Sequence, residues 1–317
     1  MGNALVDILI RLENDQLLND LDLPKGSMQL VDAARSQSVL DKLSKYPKNY
    51  SAGGSAANTI HGLAMLGIPA GYMGVIGEDE LGGSFVKDMI NAGVEPHMIH
   101  SKQETGRAIA LISPDSERTF ATFLGAAIEL EASHLEPFNF SKYDYLHIEG
   151  YLVQNHDLIR TAVSLAKKNG LKVSLDLASY NVVEANLDFL KEIVGKYVDI
   201  LFANEEEARA FTGKDPKEAL EEISQMVGIA VVKTGSKGSL IRSGDNVVEV
   251  GVLKVKPVDT TGAGDLYASG FLYGQSHDLT LVKCGEIGAM LAGHVIEVIG
   301  SKMGPDKWTE IRQMMAG

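Results

Sequence analysis

The sequence predicts an α/β fold of the doubly wound type, in which a mostly parallel sheet carries a small inserted β-rich lid. Short apolar segments alternate with amphipathic segments between residues 145 and 232. Parallel strands that helices bury on both faces produce this alternation. Residues 11–50 and about 98–126 interrupt it. We expect them to form a discontinuous lid within a single domain of residues 1–317.

The first element is an apolar strand over residues 4–10 that contains one acid, Asp7. An isolated carboxylate is costly to bury unless it is paired or hydrogen-bonded. Asp7 is therefore a candidate to grip two substrate hydroxyls, and a strand end that faces water is the alternative. A central strand usually has a longer lead-in, so we expect a few native residues to precede Met1.

The lid elements follow. Residues 11–50 have charged, irregular patterns, whereas residues 107–113 and 118–123 resemble two strands joined by a turn at 114–117. This spacing is typical of a β-hairpin with a four-residue turn. Arg118 on the second strand is either a solvated charge or a cation that a closing lid brings to a phosphate. Exposed lid strands also leave open a homodimer that pairs through them.

The core elements come next. The predicted strands are 145–148, 171–175, 199–203 and 229–232, and the predicted helices are 157–169, 182–194, one from Glu205, one near Ala219, 279–299 and 308–315. Polar residues directly follow the strands: Glu149, Asp176, Asn204 with Glu207, and Thr234. Ligands of such sheets bind at the carboxyl ends of the strands, so these residues predict a site there. Loops are polar in any case, which is the alternative.

The most informative segment is 259–265, Asp-Thr-Thr-Gly-Ala-Gly-Asp, which precedes a helix of small residues at 266–274. Gly262 and Gly264 allow backbone N–H groups to turn toward an anion, and the helix start adds a positive dipole end. Asp265 then places a carboxylate beside that anion, as expected of a base that deprotonates an attacking hydroxyl. The segment predicts phosphoryl transfer. An ordinary glycine turn with an acid in the first helical turn is the alternative.

Two further segments fit the same chemistry. Asn204 and Glu207 share a face of the first turn of a helix, which suits a Mg²⁺–phosphate water network. An asparagine cap followed by acids is also plain helix chemistry. Thr234, Gly235 and Gly238 follow a buried strand. They either contact ATP phosphates or form a hairpin turn into the next strand.

The segment 259–265 resembles the signature of the ribokinase-like kinases, also called the PfkB family of carbohydrate kinases. Residues 53–58, Gly-Gly-Ser-Ala-Ala-Asn, resemble the second signature of that family, in the right order along the chain. Residues 2–8 and 117–126 are similar to its adenosine-kinase-like branch. The resemblance covers nearly the whole chain and implies the ribokinase-like core with its lid.

The resemblance also implies an activity and a site. It implies transfer of the γ-phosphate of ATP, with Mg²⁺, to a primary hydroxyl of a nucleoside, adenosine above all, or of a sugar. Asp265 would be the catalytic base, and the backbone of Gly262, Ala263 and Gly264 the anion hole. The other implied residues are Asp7, Gly53, Gly54, Asn58, Glu149 and Arg118 for the acceptor; Asn204, Thr234, Gly235, Gly238 and Thr261 for ATP; Glu207 for Mg²⁺ through water; and Asp259 for an optional K⁺.

Two alternatives remain from the sequence. One is a sugar kinase for ribose, fructose or a 2-keto-3-deoxy sugar acid, and the less favoured one is a non-catalytic nucleotide or sugar sensor, which has no need of a base. Residues 177–181, Leu-Ala-Ser-Tyr-Asn, replace an Asn and Arg pattern of many sugar-kinase relatives. This departure favours an uncharged acceptor. Phe120, Phe123 and Tyr180 are candidates to stack on a purine.

The amino-acid composition limits the classes of binding partner and of enzyme that fit the chain. The chain of 317 residues carries 29 basic and 42 acidic residues, so its formal net charge is −13. Nucleic acid and anionic membrane are therefore poor partners. The single cysteine, Cys284, excludes an internal disulfide framework, and the lack of a signal peptide or long apolar run predicts a cytoplasmic protein. No dinucleotide-binding or Walker glycine motif follows the strands, which argues against a dehydrogenase or a P-loop enzyme.

Overall fold

The structure is a computed structural model that describes residues 1–115 and 117–316. Its strands within these ranges are β1 (Leu5–Arg11), β2 (Met28–Leu30), β3 (Asn49–Gly53), β4 (Ala70–Gly77), β5 (Val94–Ser101), β6 (Gly106–Ile112), β7 (Arg118–Phe123), β8 (Tyr145–Glu149), β9 (Lys172–Asp176), β10 (Ile200–Asn204), β11 (Ile229–Lys233), β12 (Ser239–Ser243) and β13 (Asn246–Val250). Its helices are α1 (Gln16–Asp20), α2 (Ala33–Lys42), α3 (Ser55–Met65), α4 (Glu80–Asn91), α5 (His156–Lys168), α6 (Tyr180–Ala185), α7 (Leu187–Tyr197), α8 (Glu205–Thr212), α9 (Pro216–Ser224), α10 (Ala263–Ser276), α11 (Leu281–Val295) and α12 (Pro305–Ala316).

The larger sheet has six strands in the order β13-β12-β11-β10-β9-β8. Strands β8 to β11 are mutually parallel, β12 pairs antiparallel with β11, and β13 pairs antiparallel with β12. Along β10, Leu201 and Ala203 belong to one buried cluster, while Ile200 and Phe202 belong to the other. Helices therefore cover both faces, and the predicted doubly wound, mostly parallel α/β core is confirmed.

A second, smaller sheet has five strands in the order β2-β7-β6-β1-β3, and β4 and β5 pair as a separate two-stranded sheet. The five-stranded sheet contains β1, which pairs with β6 on one side and with β3 on the other, so residues 4–10 supply an inner strand of this sheet. Residues 1 and 2 lie beside the core: the Met1 carbonyl accepts from the Glu149 N–H at 3.2 Å, and the Gly2 N–H donates to the Met73 carbonyl at 3.3 Å. The chain then passes into the smaller sheet, where the buried residues Val6 and Ile8 alternate with the less buried residues Leu5, Asp7 and Leu9.

The predicted hairpin is present as β6 and β7, which pair antiparallel with Ile112 opposite Arg118. Ser116 of its predicted turn lies outside the described residues. Residues 98–101 end β5, which pairs with β4 and not with the smaller sheet. The lid as a separate unit with segments 11–50 and 98–126 stays a prediction; below, "lid sheet" means the five strands β2, β7, β6, β1 and β3.

Several helices differ from their predicted bounds. The helix expected over 182–194 is divided into α6 and α7 at Asn186, whose backbone is not helical. The helix α10 begins at Ala263, so Asp265 lies in its first turn. It packs closely on α3, because a Cβ on Gly62 would lie only 2.4 Å from Ser269 Oγ. None of the helices in the described ranges is long and apolar enough to span a membrane.

Candidate active site

A large cavity lies between the lid sheet and the carboxyl ends of the core strands, with a volume of about 1460 Å³. The lid sheet contributes Asp7 and Phe120, whereas the core contributes Asp176, Asn204 and the start of α10. Pockets for one small molecule are typically about 300–1,000 Å³. The cavity therefore has room for two substrates side by side.

Asp265 is the carboxylate at the middle of this cavity. Its Oδ1 accepts a hydrogen bond from Ser55 Oγ at 2.7 Å, and its Oδ2 accepts one from Asn58 Nδ2 at 2.9 Å. Asn58 is itself oriented by Ser301 Oγ, which donates to Asn58 Oδ1 at 2.8 Å. Burial raises the pKa of Asp265, and the hydrogen bonds from Asn58 and Ser55 oppose that rise. The two segments that carried the resemblance, 53–58 and 259–265, thus meet in space.

The predicted anion cradle corresponds to the start of α10, where Gly262 itself does not line the cavity. Gly262 precedes the helix with φ of +73°, a left-handed conformation that favours glycine, and a Cβ there would lie 2.7 Å from Ser301 Cβ. The N–H groups of Gly264 and Asp265 are in the first turn, where a helix supplies no acceptor. Ala263, Gly264 and Asp265 all line the cavity. The geometry suits an anion beside the Asp265 carboxylate.

Asp7 lies on β1 and faces the same cavity. A Cβ on Gly53 would lie 2.3 Å from the Asp7 carboxyl group, so only glycine fits at position 53 of the paired strand β3. Burial raises the pKa of Asp7 to about 7, Lys302 opposes this rise, and Asp265 adds to it. Gly54 follows with φ of +97°, and both it and Asn58 line the cavity. The predicted acceptor residues 7, 54 and 58 are therefore brought together.

Glu149 is buried at the end of β8, and protein groups already occupy its oxygens. Its Oε1 accepts from Asn3 Nδ2 at 2.7 Å and from the Asn3 N–H at 3.2 Å, and its Oε2 accepts from the Ala56 N–H at 3.1 Å. Burial raises the pKa of Glu149, and these N–H groups lower it. The observed contacts fix the start of α3 beside the cavity. A direct contact with the acceptor stays a prediction.

Asn204 and Glu207 form the capping box that was the alternative for this pair. Asn204 Oδ1 accepts from the Glu207 N–H at 2.8 Å, and Glu207 Oε2 accepts from the Asn204 N–H at 2.8 Å. Both residues also line the cavity. Burial, and next the nearby Asp176, raise the pKa of Glu207 to about 7.

Comparison with known proteins agrees with this geometry. The pfkB family of carbohydrate kinases matches residues 34–308 of the chain. The chain belongs to this family.

Three relatives indicate the branch of the pfkB family to which this kinase belongs. A probable sugar kinase from Rhizobium etli is 34% identical, with a TM-score of 0.90 and coverage of 99% of this chain and 97% of the other. An adenosine kinase from Sinorhizobium meliloti is also 34% identical, with a TM-score of 0.89 and the same coverage. Adenosine kinase 2 of Arabidopsis thaliana is 27% identical over an alignment of 327 positions that covers 95% of this chain and 93% of that protein. The chain is a phosphotransferase with an alcohol acceptor, in the adenosine-kinase-like branch of the family.

The residues of this kinase fit a Mg²⁺ ion that is held largely by phosphate oxygens and water. Glu207 and Asn204 line the cavity near Asp176, and each carboxylate oxygen of Glu207 already accepts one hydrogen bond from Asn204. Mg²⁺ usually keeps several waters and takes one or two carboxylates together with substrate phosphates. Glu207 would order its waters from the first turn of α8.

The residues around Asp259 do not fit a K⁺ ion in this conformation. Asp259 Oδ1 accepts from the Thr261 N–H and Oγ1, both at 2.8 Å, and Arg118 Nε lies 3.0 Å away. Asp259 Oδ2 accepts from the Gly300 N–H at 2.7 Å. A carboxylate offers about four acceptor positions. Arg118 thus supplies the positive charge at Asp259, and its Nη2 also donates to Thr260 Oγ1 at 3.0 Å.

The turn after β11 has the hairpin form that was one of its two interpretations. The Thr234 N–H donates to the Gly238 carbonyl at 2.8 Å, and β12 returns antiparallel to β11. A Cβ on Gly238 would lie 1.9 Å from the Val250 carbonyl oxygen, so packing requires glycine there. Gly235 and Gly238 also line the cavity, so a phosphate contact is compatible with the hairpin.

Besides Lys233, which is described below, sequence reasoning gave no role to three residues in or beside the site. Ser55 lies inside the segment 53–58 but was given no role. Ser301 orients Asn58 from a loop far along the chain, where no sequence signal singles it out. Lys302 Nζ is buried and has no hydrogen-bond partner among the described residues. Burial lowers the pKa of Lys302 to about 8, opposed by Asp88, Asp7 and Asp265.

Proposed function

We propose that this kinase transfers the γ-phosphate of ATP to a primary hydroxyl of a nucleoside, with adenosine as the favoured acceptor. The observation that carries the proposal is the position of Asp265. Its carboxylate is held by Ser55 and Asn58, follows Gly264 directly in the first turn of α10, and lines the same cavity as Asp7. A base at this junction can reach a hydroxyl bound at the Asp7 end and a phosphate bound at the cradle.

The chemistry assigned to the residues is a single displacement. Asp7 accepts hydrogen bonds from acceptor hydroxyls and aligns the reacting one. Asp265 takes its proton as the oxygen attacks the γ-phosphorus, and the bond from that phosphorus to the bridging oxygen of ADP breaks. The backbone N–H groups of the cradle stabilise charge on the transferring group. Mg²⁺, when bound, neutralises charge on the phosphate oxygens.

The walls of the acceptor end support a nucleoside. Met28, Leu30 and Ile128 line the cavity and are 51%, 66% and 63% exposed. A purine ring can bury this apolar surface, whereas a free sugar presents mainly hydroxyls. Phe120 lines the cavity as well. Phe123, by contrast, has its ring under the Arg107 guanidinium at 4.8 Å.

A sugar kinase is the second candidate, because sugar kinases are among the relatives. The test is coupled ADP release from MgATP across a panel of nucleosides, ribose, fructose and keto-deoxy sugar acids. We expect adenosine to give the highest kcat/KM. A higher value for a free sugar would favour the second candidate, and a rate no higher than background ATPase with every acceptor would contradict both.

The proposal for cofactors is MgATP without a requirement for K⁺. The contact of Arg118 with Asp259 supports this, because the guanidinium already neutralises the carboxylate that would bind K⁺. Rates measured in K⁺ and in tetramethylammonium salts should be equal. A large loss of rate without K⁺ would instead support the K⁺ site at Asp259 that the family resemblance implies.

Homodimerisation through the lid sheet remains a proposal. The edge strands of this sheet, β2 and β3, carry the exposed residues Leu30 and Tyr50. Unpaired edge strands can accept a partner strand. A sedimentation experiment would separate monomer from dimer. A cytoplasmic location likewise stays a prediction of the sequence.

A further inference from the structure

Lys233 and Asp176 form an ion pair at the floor of the cavity that the mechanism above leaves unused. Lys233 ends β11 and Asp176 ends β9, so the pair spans the intervening strand β10. Lys233 Nζ lies 2.7 Å from Asp176 Oδ2, and the side chains are 15% and 7% exposed. Both residues line the cavity.

The ammonium group of Lys233 stands beside the anion cradle. A Cβ built on Gly264 would lie 3.1 Å from Lys233 Nζ and 4.0 Å from its Cε. Gly264 belongs to the first turn of α10, whose N–H groups have no acceptor within the helix, and it lines the cavity. An anion held by those N–H groups would therefore be within reach of the lysine. A side chain at position 264 would come between them.

The charges near Lys233 explain why a buried ammonium persists there. Burial lowers the pKa of Lys233, but Asp176 and Glu207, with a smaller effect of Asp265, raise it overall. The side chain therefore stays protonated at neutral pH. A buried ion pair is weak evidence for stability, because its desolvation can cancel the attraction. In this acidic site, a fixed cation can offset the negative charge of bound ATP.

We infer that Lys233 binds the transferring γ-phosphoryl group and that Asp176 holds the lysine in place for it. An ammonium has three N–H donors, of which Asp176 uses one and two remain for phosphate oxygens. Lys233 keeps its proton throughout, and no bond to it forms or breaks. This inference rests on the proposed kinase reaction and adds a side-chain cation to the backbone cradle.

The test is Lys233→Met, with Lys237→Met as the matched control. Lys237 lies on the same turn, is 77% exposed and does not line the cavity. We expect Lys233→Met to lower kcat by about 10²-fold or more, the usual effect of removing one stabilising donor. Lys237→Met should keep the wild-type kcat. A wild-type kcat in Lys233→Met would overturn the inference.

The affinity for nucleotides is a second measurement, and it does not depend on turnover. By calorimetry, Lys233→Met should weaken binding of a non-hydrolysable ATP analogue about tenfold or more, because a hydrogen bond to a charged group is lost. ADP affinity should be unchanged, since ADP lacks the γ-phosphate. Equal losses for both nucleotides would contradict the assignment. This comparison still decides the role of Lys233 if no acceptor in the panel is phosphorylated, which would count against the proposed function alone.

A double variant separates a role in folding from a role in catalysis. Lys233→Met leaves Asp176 as an unpaired buried charge, which destabilises the fold. In Asp176→Asn with Lys233→Met, neither charge remains, so the thermal midpoint should return toward the wild-type value. We expect kcat to stay low in this variant. Recovery of kcat together with the midpoint would show that Lys233 serves only to neutralise Asp176.

Discussion

At the scale of single residues, the alignment of the base depends on one turn of α3. Ser55 and Asn58 are three residues apart on that helix and donate to the two different oxygens of Asp265. Two donors on one helical face fix both the position and the plane of the carboxylate. Asn58 is fixed in turn by Ser301, so three separate segments determine the direction in which Asp265 points.

Removal of the base should separate chemistry from binding. We expect Asp265→Asn to lower kcat by about 10²–10⁴-fold, the usual contribution of a general base, with little change in ATP affinity. Asp278→Asn is the control, because Asp278 is an exposed residue after α10 with φ of +53°, which asparagine tolerates. Steady-state assays of both variants give the comparison. A kcat for Asp265→Asn near that of the control would contradict the assigned role.

Asp7 should make the stability of the protein depend on pH in a specific direction. Burial raises its pKa from 3.8 to about 7. Between these values the folded state keeps a proton that the unfolded state has lost, so the free energy of unfolding falls as pH rises toward 7. Asp7→Asn removes the titrating carboxyl group and therefore this decrease in the free energy of unfolding. We expect the variant to be more stable than wild type at pH 8, on the order of 2 kcal/mol, and nearly equal at pH 4.

Thermal melts of Asp7→Asn and wild type across this range test the prediction. A difference between the two proteins that is constant with pH would rule out the titration of Asp7 as its cause. The same variant should lose acceptor affinity, because the amide has one uncharged acceptor oxygen where the carboxylate has two charged ones.

At the scale of elements, the lid sheet is joined to the loop before α10 by Arg118 of β7. Its guanidinium contacts Asp259 and Thr260, and the side chains of Arg118 and Asp259 are 16% and 2% exposed. The Asp259 carboxylate also binds the Thr261 and Gly300 backbone. One strand of the lid sheet therefore supports the loop that leads into the anion cradle.

Loss of this link should weaken catalysis from a distance. We expect Arg118→Met to reduce kcat/KM by about tenfold or more and to lower the thermal midpoint, because a buried carboxylate loses its cationic partner. Lys102→Met, an exposed position between β5 and β6, is the control. If Arg118→Met behaves like this control in both measurements, the contact between lid sheet and loop has no functional weight.

The pairing of β1 with β3 is equally specific, because Asp7 occupies the space beside Gly53. We expect Gly53→Ala to displace the Asp7 carboxyl group and reduce kcat/KM for the acceptor by about tenfold or more, since small displacements of a positioning group are costly. Gly83→Ala is the matched control: a Cβ there meets nothing within 4 Å inside α4. It should stabilise the protein by about 0.5–1 kcal/mol and leave turnover unchanged.

At the scale of the whole molecule, the sequence predicts the layers better than the contacts between them. The parallel core was predictable because each strand is apolar on both faces and is followed by an amphipathic helix. The assembly of residues 7, 58 and 265 was predictable through the family resemblance. That β1 belongs to the lid sheet could not be predicted, because an apolar strand with one acid has the same pattern in either sheet.

Contacts that depend on three-dimensional packing escaped the sequence altogether. Asp176 and Lys233 come from two strands that are separated by a third, and strand order cannot be read from the pattern of either one. Ser301 acts from a loop after α11. The break at Asn186 between α6 and α7 was also missed, since the apolar period continues through it.

The tight seam between α3 and α10 bears on how the cavity can open and close. At Gly62 the two helices are too close to admit even a methyl group, and Ser269 Oγ donates to the Thr59 carbonyl across the seam at 2.7 Å. The helices that carry Asn58 and Asp265 must then travel as one rigid block. We therefore expect substrate entry and product exit to involve movement of the opposite wall, with the reactive carboxylate aligned once, during folding, rather than anew in each catalytic cycle.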